Sequence, residues 1–163
     1  MILVDWIDKI NEGIGKLFSW LTTLLMVVIC FDVLMRYVFA SSSAAITETE
    51  WHIFAAIFML GAAYTLKYDK HVRVDVFYAN FTEKGKAWVN LIGTLLFLFP
   101  FCYVVIRSSI PFVENSFAVR ETSPDPGGLP ARYLIKSVIP IGFLLLSLQG
   151  ISVLLKCIKT IGK

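Results

Sequence analysis

Two stretches of the chain, residues 87–106 and 137–155, contain no Asp, Glu, Lys or Arg. Each is close to the roughly 20 residues that an α-helix needs to cross a hydrocarbon core. Two further runs are apolar but keep charges: 17–39 holds Asp32 and Arg36, and 47–66 begins with Glu48 and Glu50. With 57% hydrophobic and 17% charged residues over 163 positions, the composition excludes an ordinary soluble domain. The expectation is an all-α integral membrane protein forming a single membrane domain over 1–163. It comprises an amphipathic helix at 1–16 and four transmembrane helices at about 17–39, 47–66, 87–111 and 134–156.

The run at 17–39 starts late, is long and lacks a small-residue cleavage site at its end, so it reads as a retained anchor and not as a signal peptide. Ahead of it, Leu3, Ile7, Ile10 and Ile14 recur at helical spacing, with Asp5, Asp8, Lys9 and Glu12 mostly elsewhere. Such a helix lies along the membrane surface or packs on protein; the weak basic content and the single Trp favour partial covering by protein. The three cysteines, Cys30, Cys102 and Cys157, show neither a CxxC pair nor metal-ligand spacing and read as packing residues.

The net charge of +3 matters through its placement. Lys9 and Lys16 precede the first run, Lys67, Lys70, Arg73, Lys84 and Lys86 lie between the second and third, and Lys156, Lys159 and Lys163 close the chain. Only Arg120 and Arg132 lie between the third and fourth runs, and the 40–47 segment has no cation. By the positive-inside rule both termini and the middle loop are cytoplasmic. The outer loop at 114–133 carries Pro124, Pro126, Pro130 and the pair Gly127, Gly128, which predict irregular structure near the membrane.

Asp32 and Arg36 lie about 6 and 12 Å beyond the middle of the first run, on one helical face with the acid nearer the N-terminus. Arg36 can snorkel outward, whereas a short carboxylate at that depth needs a partner or a proton. Glu48, Glu50, Arg107 and Lys136 fall near the same outer level. Together these charges predict an ionic layer that registers the helices, the alternative being independent snorkelling of each side chain.

Three functional classes follow. A membrane redox enzyme needs ligands, and His52 and His71 would stand about 28 Å apart along a helix, too far to share a haem. A small four-helix proton-coupled exporter would use Asp32 as its titrating carboxylate, although the strong charge bias opposes the dual insertion common in such proteins. An accessory subunit needs no pathway of its own, and no span shows the paired broken half-helices of a transporter site.

Several motifs together carry a family resemblance: "RYVF" at 36–39, the acids Glu48 and Glu50, "FMLGAA" at 58–63, "HVRVD" at 71–75 and "GLPARYLIKSVIPIGFLLLSLQG" at 128–150. In this combination and order, across most of the chain, the sequence resembles the small membrane subunit of TRAP transporters, the DctQ family. The resemblance implies a tripartite, sodium-coupled system in the bacterial cytoplasmic (inner) membrane. An extracytoplasmic substrate-binding protein captures an organic anion, usually a carboxylate, and a large DctM-like membrane subunit carries it.

The small subunit looks like a scaffold for the large one, not an enzyme, with no cofactor, no metal and no nucleic-acid partner. On that reading Asp32, Arg36, Glu48, Glu50 and Arg107 are structural or subunit-interface charges. His71, Arg73 and Asp75 would tie the cytoplasmic loop to helix ends or to the partner, or else Arg73 and its neighbours would meet membrane lipid headgroups.

Overall fold

The computed structural model describes residues 2–68, 78 and 80–162, and among them every regular element is helical. Helix α1 spans Ile2–Val38, α2 Ala44–Lys67, α3 Glu83–Gly93, α4 Phe99–Ala118 and α5 Tyr133–Ile161. Five residues in π-helical conformation, Thr94–Leu98, join α3 to α4 in one rod. His71, Arg73 and Asp75 lie outside the described residues.

The expected lead-in and first span are one helix. Nothing between Ile2 and Val38 breaks it: there is no proline, Asp5 sits in the first turn and Arg36 in the last, each matched to the helix dipole. Beyond it Ala40 adopts a left-handed φ of 49° and the Ser41 N–H donates to the Met35 carbonyl at 3.1 Å. The chain reverses within a few residues, and α2 starts after Ser43.

The expected four spans need correction. Three helical segments are long and apolar enough to cross a membrane by length and composition: Leu3–Val38, Glu83–Ala118 and Tyr133–Ile161. Helix α2 is not among them, because Glu48, Glu50, His52, Thr65 and Lys67 dilute its apolar residues. It nevertheless runs the height of the bundle antiparallel to α1, from Glu48 beside the outer loop to Lys67 at Asp8 and Glu12, and packs on α1 and α5. The helix that holds the expected third span at about 87–111 continues to Ala118, with Pro111 carried inside α4. Proline lacks the N–H that would bond the Arg107 carbonyl, yet its φ is helical, so the helix continues at the cost of one bond. Just before Pro100 the bonding widens, with the Phe99 N–H donating to the Thr94 carbonyl, a local π-turn of the kind that proline favours.

Helix α5 is the hub, touching α1, α2, α3 and α4. Small residues let it approach closely. A Cβ at Gly142 would stand 2.7 Å from the Met59 carbonyl oxygen of α2, and one at Gly150 would stand 2.7 Å from a Leu98 methyl. Between these levels Leu60, Ala63 and Leu145 form a small apolar core, with Ile14, Phe18 and Val138 packed on it. In α1, Gly15 admits the Tyr64 ring, which a side chain there would overlap.

The bundle is polar inside and apolar outside. Asn11, Asp32, Glu48, Gln149 and Ser152 are buried, while Leu24, Met26, Phe97, Val104 and Leu144 are exposed. The face of the N-terminal turns expected to be partly covered is split: Leu3 and Ile10 point out with Trp6, Ile7 and Ile14 are half-buried, and Val4 and Asn11 point in. In lipid the apolar face gains nothing from protein, and Asn11 and Asp8 gain partners.

Replacing Gly142 by Ala should force α2 and α5 apart and destabilise the bundle by about 1–3 kcal/mol, the usual cost of overpacking. Gly61→Ala meets nothing within 4 Å and should be neutral or mildly stabilising. Thermal unfolding of the two variants in detergent, followed by the accessibility of buried Cys102 and Cys157, checks this contrast.

Candidate functional site

At one end of the bundle the expected charge layer forms in part, as two separate assemblies. On α1, Arg36 pairs with Asp32 at 2.5 Å, Asp32 being buried and the Arg36 side chain about half exposed. Side chains on a helix lean toward its N-terminus, so an arginine at i+4 drops onto the acid below it. The second oxygen of Asp32 is buried without a hydrogen bond.

The other assembly is built on Glu48. Its carboxylate, buried in the second turn of α2, accepts from the Ser123 hydroxyl and from the Leu129 backbone N–H at 2.6 Å. A Cβ at Gly128 would come within 2.9 Å of the same carboxylate, so glycine is needed for the approach. The loop at 119–132 then folds on itself: Ser123 N–H bonds the Leu129 carbonyl, Arg132 N–H the Glu121 carbonyl, and Gly127 turns with φ 78°. Glu121 pairs with Lys136, whose ammonium also lies 4.1 Å from the Phe112 ring centroid, and Arg132 stands over Trp51. The irregular outer loop is therefore a compact cover pinned by one buried carboxylate.

Glu50 and Arg107 do not join these assemblies. One Glu50 oxygen is buried with no hydrogen-bond partner. Arg107 is exposed on α4, and no ion pair or hydrogen bond reaches it among the described residues.

The opposite end holds a cluster that the reading of charges for orientation passed over. Asp8 accepts from Gln149 at 3.0 Å, from Ser152 at 2.7 Å and from Lys156 at 2.6 Å, joining α1 to α5. Asn11 donates to Gln149 at 2.7 Å, both side chains being fully enclosed. Glu12 takes Lys67 at 2.5 Å and Lys16 at 2.6 Å, and Lys67 also donates to the Asp8 carbonyl, which brings α2 into the same knot. Its signal was present: Gln149, Ser152 and Lys156 share one face of α5, and Asp8 and Asn11 share one face of α1.

A bundle knotted by polar contacts at both ends and largely apolar on its exterior is the geometry of a membrane support. A family model described as tripartite ATP-independent periplasmic transporters, DctQ component, matches residues 25–160. The chain belongs to the DctQ family. No curated protein matches it. As a DctQ component the chain is the small subunit of a TRAP transporter, and the family functions with DctM and a substrate-binding protein and is not known as an enzyme. The matched region takes in the Asp32 pair, the Glu48 assembly and the α5 half of the inner knot, while Asp8 and Asn11 precede it.

The Lys136 ammonium holds the Glu121 carboxyl below the usual glutamate range. A carboxyl so depressed stabilises the folded loop above its unfolded pKa, and that contribution is lost as pH falls through the folded value. The protection of the Arg132 amide, which bonds the Glu121 carbonyl, relative to its intrinsic exchange rate at each pH should therefore fall on acidification. Glu121→Gln should shrink this pH dependence, and an unchanged profile would separate the ion pair from the loop.

Proposed function

We propose that this DctQ component is a rigid scaffold for the large membrane subunit of a sodium-coupled importer of an organic anion, with no substrate or coupling site of its own. The observation that carries the reading is the use made of Asp32. A coupling carboxylate has to exchange protons or ions through an open polar path. Asp32 is instead buried against Arg36 of its own helix, and the nearby groove between α1 and α2 is lined by Val27, Val28, Phe31, Ile46 and Thr49. This supports the scaffold over a proton-coupled exporter.

The scaffold lies in a bacterial inner membrane with both termini cytoplasmic. Support comes from the inner knot, where Lys16, Lys67 and Lys156 collect at the end that also holds both termini. The Glu48-pinned loop then faces outward, toward the substrate-binding protein. By widening and steadying the static part of an elevator-type carrier, such a subunit lets the moving part shift substrate while the frame stays fixed.

Cysteines placed at Ser42 and Asp125 should react with an impermeant thiol reagent from outside intact cells, and one at Lys84 should not. In the assembled transporter Asp32→Asn should preserve sodium-dependent uptake per complex while lowering stability by about 0.6–2 kcal/mol, the range for an intramembrane polar contact. Equal labelling of all three sites, or transport by the isolated chain that Asp32→Asn alone abolishes, would establish the exporter instead.

A further inference from the structure

Among the described residues, Arg107 is a cation in the middle of a span-length helix that no ion pair reaches. Arg36 has Asp32, Lys136 has Glu121, Lys67 has Glu12 and Lys156 has Asp8. Arg107 stands on α4 two and a half turns before buried Ser116, which puts it on the opposite, outward side of the helix. Helix α4 packs on α5 and makes no comparable contact with α1 or α2, so the rest of the bundle does not cover this side.

Position along the helix lengthens its route to water. Phe117, which packs edge-on against Tyr133, marks the outer end of α4. Arg107 lies ten residues before it, about 15 Å deeper along the helix. The side chain of an arginine on this outward-running helix leans toward the N-terminus, and so further into the membrane. The backbone adds a second unmet demand at the same level, because Pro111 removes the N–H that would serve the Arg107 carbonyl. Ser108, exposed beside it, and Glu114 and Asn115, exposed about one turn beyond Pro111 and roughly 10 Å further out than Arg107, continue a polar stripe on this side.

We propose that the outward face of α4 at Arg107, Ser108 and Pro111 is where the large membrane subunit docks, through a membrane-spanning helix that presents a carboxylate at the depth of Arg107. This rests on the scaffold reading above and gives it a face and a chemistry. Charge complementarity selects the occupant: an acid answers the guanidinium, and a hydroxyl or amide donor beside it answers the freed carbonyl. The α1 pair, by contrast, already sets an acid against its arginine.

The test uses the small and large subunits co-expressed in membranes. A photoreactive amino acid at Ser108 should cross-link to the large subunit, and the same group at exposed Leu34 of α1 should not. Arg107→Gln and Arg107→Glu should lower the co-purified large subunit about tenfold, the loss of one well-made charged contact. Arg107→Lys should retain much of it, and Arg36→Gln should leave it unchanged. Introducing Arg in place of the cross-linked acid should rescue Arg107→Glu.

If the large subunit co-purifies normally with Arg107→Glu and cross-links from α1 but not from Ser108, the proposal is wrong while the scaffold reading stands. If the unaltered chain recovers no large subunit at all, the scaffold reading falls and takes this face with it. The cross-link from Ser108 is read in a chain with Arg107 intact, so misfolding of the charge variants cannot hide the answer.

Discussion

A side chain such as Leu24 or Phe97 gains nothing by leaving lipid for protein, so the cohesion of this bundle has to come from groups that lipid cannot solvate and from close packing. Asp8, Asn11, Gln149 and Ser152 supply the first at one end, and Glu48 with the 119–132 loop supplies it at the other. Gly15, Gly142 and Gly150 supply the second between them. Each helix that contributes to a knot is thereby fixed in rotation and in height. The apolar exterior, the close crossing of α2 and α5 and the ordered outer loop all depend on that fixing.

The burial of so much polar chemistry is also what makes the subunit suited to a passive role. Intramembrane charge is expensive, and carriers keep it where it moves protons or ions. Here Asp32 and Glu48 are consumed by contacts within the chain, one along its own helix and the other across to a loop. What remains available is a surface, and Arg107 lies on it with no ion pair among the described residues. The proposed division is between charges used inside the bundle and a charge offered to a partner.

Much of this was legible in the sequence. The uncharged runs at 87–106 and 137–155 marked α3–α4 and α5, because twenty apolar residues admit few other fates. The Asp32–Arg36 pair could be read from i, i+4 spacing alone, and the turns of the outer loop from its prolines and glycines. What could not be read was partnership over distance. Gln149 lies in an apolar run, and only the fold brings it to Asp8 and Asn11 from the far end of the chain. Which residues of the N-terminal turns protein would cover was unreadable for a related reason, since amphipathicity shows two faces but not where the neighbouring helices will lie. The charge-free run did not show that the helix would carry Pro111 inside it and continue to Ala118, where it packs on α5. Helix α2 looked like a span by the same apolar rule, and its polar residues place it below the composition of the other three.

The claim that both ends are knotted into one rigid frame is tested most directly by a distance. Spin labels at Ser42, on the turn between α1 and α2, and at Lys159, near the end of α5, report the full height of the bundle. In the assembled transporter the account predicts one narrow distance distribution, unchanged when sodium and substrate are added. A second population, or a shift of the mean on turnover, would show that the small subunit moves with the transport cycle and would contradict the scaffold.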